Sequence, residues 1–214
     1  ANAAYNPRNL FIVEENAEVT IINSYETISG SSFTNSTTEI YVNEGATVDS
    51  YILQNQSETS KQVNEIDVVQ KANSIYTANT VTLNGELVRN NYNIEVKGQG
   101  CKTNLYGLCL TSGNQHIDNH TIIDHIEPNC ESNEVYIGVL DDSSTAVFNG
   151  KVFVAEFFFT KCPSICIEMN RNMKILDDKF GEREDFGIVS FTIDPENDTP
   201  TVLKKYSELI EVKS

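Results

Sequence analysis

Two cysteines four residues apart carry the sharpest chemical signal in the sequence. Cys162 and Cys166 flank a proline in Thr160-Lys161-Cys162-Pro163-Ser164-Ile165-Cys166, where an apolar run stops and a helical pattern starts. A helix N-terminus has free N–H groups and a partial positive charge, and both stabilise thiolates. At this spacing the side chains fall one turn apart on one face. They can therefore hold a soft metal such as Cu(I), or oxidise to a disulfide. Two inert, buried helix cysteines are the plain alternative.

A second group lies upstream, in Gln115-His116-Ile117-Asp118-Asn119-His120-Thr121-Ile122-Ile123-Asp124-His125 with Cys130 nearby. Imidazole, carboxylate and thiolate at this density suit iron or zinc. In a strand, however, alternate residues share a face. His116, Asp118, His120, Ile122 and Asp124 then point one way and His125 the other. Such a row usually builds a hydrogen-bonded polar ladder to neighbouring strands. Cys101, Cys109 and Cys130 read as small buried hydrophobes.

The scaffold that must position these groups is acidic. The 214 residues include 15 basic and 31 acidic side chains, a net charge of −16. That balance argues against nucleic acid as a partner, because phosphate binding needs clustered Lys and Arg. A hydrophobic fraction of 39% supports a core, and the length allows one or two domains. No segment approaches the ~20 apolar residues of a membrane span, and Ala1-Asn2-Ala3-Ala4 has no signal-like flank. Five sparse cysteines favour a reducing compartment, so a cytoplasmic location is expected. Four Asn-x-Ser/Thr triplets, at Asn35, Asn55, Asn119 and Asn197, are what an Asn-rich chain yields by chance.

Residues 1–150 are strand-like throughout. Apolar residues alternate in short runs: Val19 and Ile21, Ile40 and Val42, Val81 and Leu83, Leu87, Ile94 and Val96. Asn, Gly, Ser and Asp bound each run and supply turns. A loose repeat underlies the alternation. Glu14-Glu15-Asn16-Ala17 resembles Asn43-Glu44-Gly45-Ala46, and the two alanines are 29 residues apart. Gln70-Lys71-Ala72-Asn73 is a weaker echo, with Ala72 a further 26 on. Short strands on such a period predict a parallel β-helix, whose coils bury their inner faces only by stacking. Inward Val, Ile, Leu and Ala would form ladders, with Asn and Ser at the corners. An antiparallel sandwich is the competing architecture.

The texture changes at Gly150. Val152 to Phe159 is almost continuously apolar, as in a strand buried on both faces. A helix is expected from about Ser164 to Phe180, with Met169, Met173 and Leu176 on one stripe. Ile188 to Ile193 reads as a second buried strand. Thr199 and Pro200 mark the N-cap and first position of a second helix. Strand, helix, strand, helix implies parallel pairing, in a unit too short to be a complete α/β domain.

The histidine run continues through Pro128-Asn129-Cys130-Glu131-Ser132-Asn133-Glu134 and Gly138-Val139-Leu140-Asp141-Asp142-Ser143-Ser144-Thr145 into Val147-Phe148-Asn149-Gly150-Lys151-Val152. Over about residues 5–154 the chain resembles the SufB/SufD family, β-helical scaffolds of cytosolic iron–sulfur cluster assembly. The resemblance implies a mainly β fold, a right-handed parallel β-helix. It also implies transient handling of an iron–sulfur cluster, an ATPase partner, a paralogous scaffold subunit, and no catalysis by this subunit. The family's cluster-related residues lie largely outside the resembling region, so no catalytic or cofactor-binding residue is carried over.

Gly150-Lys151-Val152-Phe153-Val154-Ala155-Glu156-Phe157-Phe158-Phe159-Thr160, the paired cysteines and Ser190-Phe191-Thr192-Ile193-Asp194-Pro195-Glu196-Asn197-Asp198-Thr199-Pro200 carry another likeness. They resemble the Sco/SenC copper chaperones, thioredoxin-fold proteins serving cytochrome oxidase assembly. In that family two cysteines and a later histidine bind copper. By position Cys162 and Cys166 match as metal ligands, but no histidine follows His125. The family's leading strands, membrane anchor and closing hairpin are also missing. The expected organisation is a β-helix over 1–150 and an incomplete thioredoxin-like α/β segment over 151–214.

The resemblances meet at Phe148-Asn149-Gly150-Lys151-Val152-Phe153-Val154, a string acceptable to both families. No functional logic joins a cytosolic scaffold to an extracytoplasmic chaperone within one strand. A recombined or misassembled coding sequence is therefore expected. The functional classes in play are a non-enzymatic assembly scaffold, a copper or thiol protein centred on Cys162 and Cys166, and an inert β-helical adhesion module.

Overall fold

The computed structural model describes residues 3–149, 152–162, 165–182 and 186–209, and side chains at all of these except 149, 152–157, 165–168, 186–187, 189, 191 and 208–209. They fall into two compact units that divide at Asn149. The first is a parallel β-solenoid of about five coils. One sheet contains β1 (Ala3–Tyr5), β2 (Arg8–Val13), β4 (Ser32–Val42), β6 (Lys61–Gln70), β8 (Leu87–Val96), β10 (His116–His125) and β12 (Thr145–Asn149). The other contains β3 (Glu18–Glu26), β5 (Thr47–Asn55), β7 (Ile75–Asn84), β9 (Lys102–Thr111) and β11 (Glu131–Leu140). Neighbouring strands within each sheet belong to successive coils and run parallel. The antiparallel sandwich is thereby overturned, and the stacked-coil architecture stands.

Period-two alternation builds the core. Ile40, Val68, Ile94 and Ile123 occupy one inward position on four successive rungs. Ile40, Val68 and Ile94 are fully buried, and Ile123 packs against the same core. Each such side chain contributes about 1.5–3 kcal/mol through the apolar surface it removes from water. Not every alternating run faces in. Val81, Leu83 and Leu87 have outward parity, since Thr82 and Val88 between or beside them are buried. Alternation fixes the period of a strand but leaves open which face turns inward.

The interior also carries a polar column. Ser36, Asn64, Asn90 and Asn119 share one inward position on consecutive rungs, all buried. Asn64 Nδ2 donates to Asn90 Oδ1 at 2.7 Å, and Asn90 Nδ2 donates to Asn119 Oδ1 at 2.9 Å. Gln54 joins from the facing sheet, donating to Asn90 Oδ1 at 2.9 Å. Asparagine thus stacks inside the solenoid as well as at its corners. The next position in the column is Phe148, whose ring stacks on Tyr136 with centroids 4.4 Å apart.

One corner recurs in every coil. Asn16, Gly45, Asn73, Gly100 and Asn129 all have φ between 55° and 75°, the left-handed region that glycine and asparagine tolerate best. The residue after each is small: Ala17, Ala46, Ser74, Cys101, Cys130. Backbone bonds stack these five, with Thr47, Ile75, Lys102 and Glu131 N–H groups donating in turn to the carbonyls of Ala17, Ala46, Ser74 and Cys101. Ser74, and not Ala72, is therefore the rung-mate of Ala46. Matching alanine to alanine slips the third repeat by two residues, because the corner selects for size and backbone conformation rather than for alanine.

The second unit pairs β13 (Val152–Phe158) with β14 (Phe186–Thr192) in parallel, with α1 (Ile165–Phe180) between them and α2 (Pro200–Leu209) after. Met169, Met173 and Leu176 form a half-buried stripe on α1, as their spacing predicts. The Leu203 N–H donates to the Thr199 carbonyl at 2.9 Å, so α2 starts at the Thr199-Pro200 signal. Asn170 Nδ2 donates to the Tyr206 hydroxyl at 2.7 Å, and Tyr206 stacks on Phe158 at 5.5 Å, tying both helices to the strand pair.

Candidate functional site

Cys162 sits in the turn that follows β13, its N–H donating to the Phe159 carbonyl at 3.1 Å. It is half-buried, and its sulfur is in a disulfide. Cys101, Cys109 and Cys130 are free thiols. Cys166 lies in the first turn of α1, with its side chain outside the described residues, as are Pro163 and Ser164.

Asp198 fixes the turn leading to Cys162, a role that its place in the sequence does not announce. Its carboxylate accepts the Thr160 N–H at 3.1 Å and the Thr192 hydroxyl at 2.5 Å, and also accepts the Thr160 hydroxyl. One buried side chain thus joins the C-terminal ends of β13 and β14. Burial alone would raise its pKa. The hydrogen bonds from Thr160 and Thr192, with the Lys161 ammonium nearby, outweigh that and hold it below the usual carboxylate range. The available signal was the chain order: a carboxylate just before a helix cap, two threonines at strand ends.

The histidine run lies on β10 as alternation predicts. Ile117, Asn119 and Thr121 turn inward, while His116, Asp118, His120, Ile122 and Asp124 share the outer face. The polar ladder forms there. Arg89 Nη1 on the preceding rung reaches Asp118 Oδ2 at 2.6 Å, and one rung earlier Asn91 donates to Glu65 at 2.9 Å. His125 is exposed at the strand end, its Nε2 3.2 Å from Ser132 Oγ. Among the described residues no three His, Cys, Asp or Glu side chains converge as a metal site. The structure therefore does not gather His116, His120, His125 and Cys130 into a ligand set.

Desolvation perturbs several groups along the solenoid. Glu134 has inward parity and accepts from Thr121 Oγ1 at 3.1 Å; desolvation raises its pKa despite that bond. Burial likewise raises the Cys109 thiol, while Tyr92, bonded to Thr80 at 2.7 Å, is pushed up to about 12 by desolvation. Cys109 and Tyr92 belong to the packed interior, whereas Glu134 lies on the last rung and stays exposed.

A family model described as "SUF system FeS cluster assembly, SufBD core domain" matches residues 1–157. The chain belongs to the SufBD family. An iron-sulfur cluster assembly SufBD family protein of Synechocystis is 32% identical over 159 residues, covering 70% of this chain and 35% of that protein. The chloroplastic protein ABCI7 of Arabidopsis thaliana is 31% identical over 157 residues, covering 71% of this chain and 33% of that one. This SufBD chain thus spans about a third of the length of these two curated relatives. A second model, SCO1/SenC, matches residues 141–214 and overlaps the first at the junction. The SCO1 protein homolog of Bacillus subtilis is 46% identical over 59 residues, covering 27% of this chain and 31% of that protein. A SufBD solenoid is thus followed by a SCO1/SenC segment.

Proposed function

We propose that the solenoid acts as a non-catalytic scaffold subunit in iron–sulfur cluster assembly, working with an assembly ATPase and a paralogous scaffold subunit. The observation that carries this reading is the stacked parallel solenoid coinciding with the residues that match the SufBD core. The cluster is cargo on such a scaffold. A cytoplasmic location goes with this reading. No described helix is long and apolar enough to cross a membrane. Affinity capture with the assembly ATPase as bait tests the scaffold role. Retention of the folded chain is the expected result, and a folded chain that passes through unretained defeats it in favour of an unrelated binding module.

A second reading rests on Cys162. Placed at a strand end before α1 and fixed by Asp198, it is positioned for thiol chemistry with Cys166 as its partner. Because Cys162 is disulfide-bonded here, it must be reduced before it can ligate metal. Reduced, Cys162 and Cys166 would offer two soft donors to Cu(I), without the histidine that the resembling family adds. Anaerobic Cu(I) titration of the reduced chain against a Cys162→Ser/Cys166→Ser variant tests it. One equivalent bound only by the parent supports it, and equal uptake removes it.

We further infer that two coding sequences were joined where both families read alike, since the two family matches overlap over residues 141–157. Genomic DNA read across codons 145–160 tests this. A single uninterrupted locus present in related genomes would make the join a genuine fusion.

A further inference from the structure

Cys101 and Cys130 are adjacent members of the small-residue corner column. The Glu131 N–H donates to the Cys101 carbonyl at 3.0 Å, and Lys102 pairs with Glu131, so the two cysteines precede paired positions on β9 and β11. Neighbouring strands lie ~4.8 Å apart, which falls in the ~4.4–6.8 Å Cα separation a disulfide spans. The sulfurs also converge. Cys101 Sγ and Cys130 Sγ each lie 3.1 Å from the Gly98 carbonyl oxygen, so at most twice that distance separates them. That carbonyl is firmly placed, because Gly98 is packed against the backbone of Lys71 and Ala72 with no room for a Cβ.

The two thiols differ in access. Cys101 is 1% exposed, whereas Cys130 is half-buried and reachable from solvent. Cys109 belongs to a separate buried cluster with Val88 and Ile117. No third His, Cys, Asp or Glu completes a metal site with the pair among the described residues. Two sulfurs without further ligands suit a covalent link better than a closed metal centre.

We propose that Cys101 and Cys130 form a dithiol that closes to a disulfide between successive coils by exchange with a low-molecular-weight disulfide. Cys130 loses its proton to solvent and attacks one sulfur of the small disulfide. That S–S bond breaks, and one small thiol leaves and takes up a proton. Cys101 then loses its proton, turns from the Gly98 carbonyl, and attacks the Cys130 sulfur, expelling the second small thiol. Two protein thiols are oxidised and one small disulfide is reduced to two thiols. The link closes a loop of one coil and ties β11 to β9.

The test uses the whole chain, incubated folded with oxidised glutathione, alkylated in denaturant, and mapped by peptide mass spectrometry. The expected result is a Cys101–Cys130 cross-linked peptide, Cys109 fully alkylated, and thermal unfolding of the solenoid shifted several degrees upward until dithiothreitol is added. Cys101→Ser should arrest the reaction as a glutathione adduct on Cys130, and Cys130→Ser should leave Cys101 unmodified. Full alkylation of Cys101 and Cys130 after oxidation of the folded parent, or a link to Cys109 instead, overturns the proposal. The parent's peptide map decides the matter even if a serine variant misfolds.

Discussion

Asn64 and Asn90 occupy the same inward position on consecutive rungs, and the amide of one donates to the amide oxygen of the other at 2.7 Å inside a column closed to solvent. Asn90 is the branch point, since Gln54 and Asn119 bond to it as well. Polar groups desolvated this deeply cost about 1–3 kcal/mol each when left without a partner. Replacing Asn90 strands groups on three neighbours at once.

Asn90→Ala is therefore expected to destabilise the solenoid by about 3 kcal/mol or more. The exposed Asn133→Ala, which loses one bond to Asn104, should stay within about 0.5 kcal/mol of the parent. Urea unfolding of both variants checks this. Equal midpoints would mean that the interior column contributes nothing beyond filling space.

Gly98→Ala should be more damaging than Gly113→Ala. A Cβ at Gly98 meets backbone atoms of Lys71 and Ala72, which cannot swing aside, and overpacking of this kind costs about 1–3 kcal/mol. At Gly113 a Cβ meets nothing within 4 Å, and only the positive φ of 60° opposes it, at about 1 kcal/mol. Denaturant midpoints for the pair should separate in that order.

Glu134→Gln should stabilise the last rungs at neutral pH. Partial desolvation raises the folded-state pKa of the still exposed Glu134 above its ordinary value of 4.5, so the folded form favours the protonated acid. Stability from this group is present below about 4.5 and is lost as pH rises through the raised value. The glutamine variant should match the parent at low pH and exceed it at pH 7. Hydrogen exchange of β11 peptides across pH reads the difference directly, and a constant offset would assign the effect to packing.

Asp198→Asn should loosen the second unit in the opposite pH range. The Asp198 carboxyl is held below its ordinary value of 3.8, so its contribution is present above that value and is lost as pH falls through the depressed one. Proteolysis of residues 152–209 should accelerate in the variant at pH 7 and converge with the parent in acid. An unchanged cleavage rate at pH 7 would show that Thr160 and Thr192 hold the turn without it.

Much of this architecture was legible in the residues. Alternation located the strands, the Ala17 and Ala46 repeat marked the coil, and Thr199-Pro200 placed the start of α2. The disposition of β10 followed from parity alone. What escaped was decided by geometry that side-chain type does not record. Asn73-Ser74 fills the same corner as Gly45-Ala46 because both pairs combine a left-handed residue with a small one. Val81 and Leu83 face outward although they are as apolar as any core residue, and Asn64 and Asn90 face inward although they are polar. Partners on the next rung settle these cases, and a rung is 26–29 residues away. Asp198 was hidden similarly, since its hydroxyl partners lie far apart in the chain, Thr160 in the turn after β13 and Thr192 at the end of β14.

Because every rung leans only on the ones beside it, damage to this molecule should stay local. A nonsense codon, an unrelated graft or a proteolytic nick near Asn149 would leave the earlier coils little changed, since their ladders run to nearer neighbours and never to a distant terminus. Architectures of this kind can survive abrupt splices that a closed barrel, whose last strand must find its first, would not.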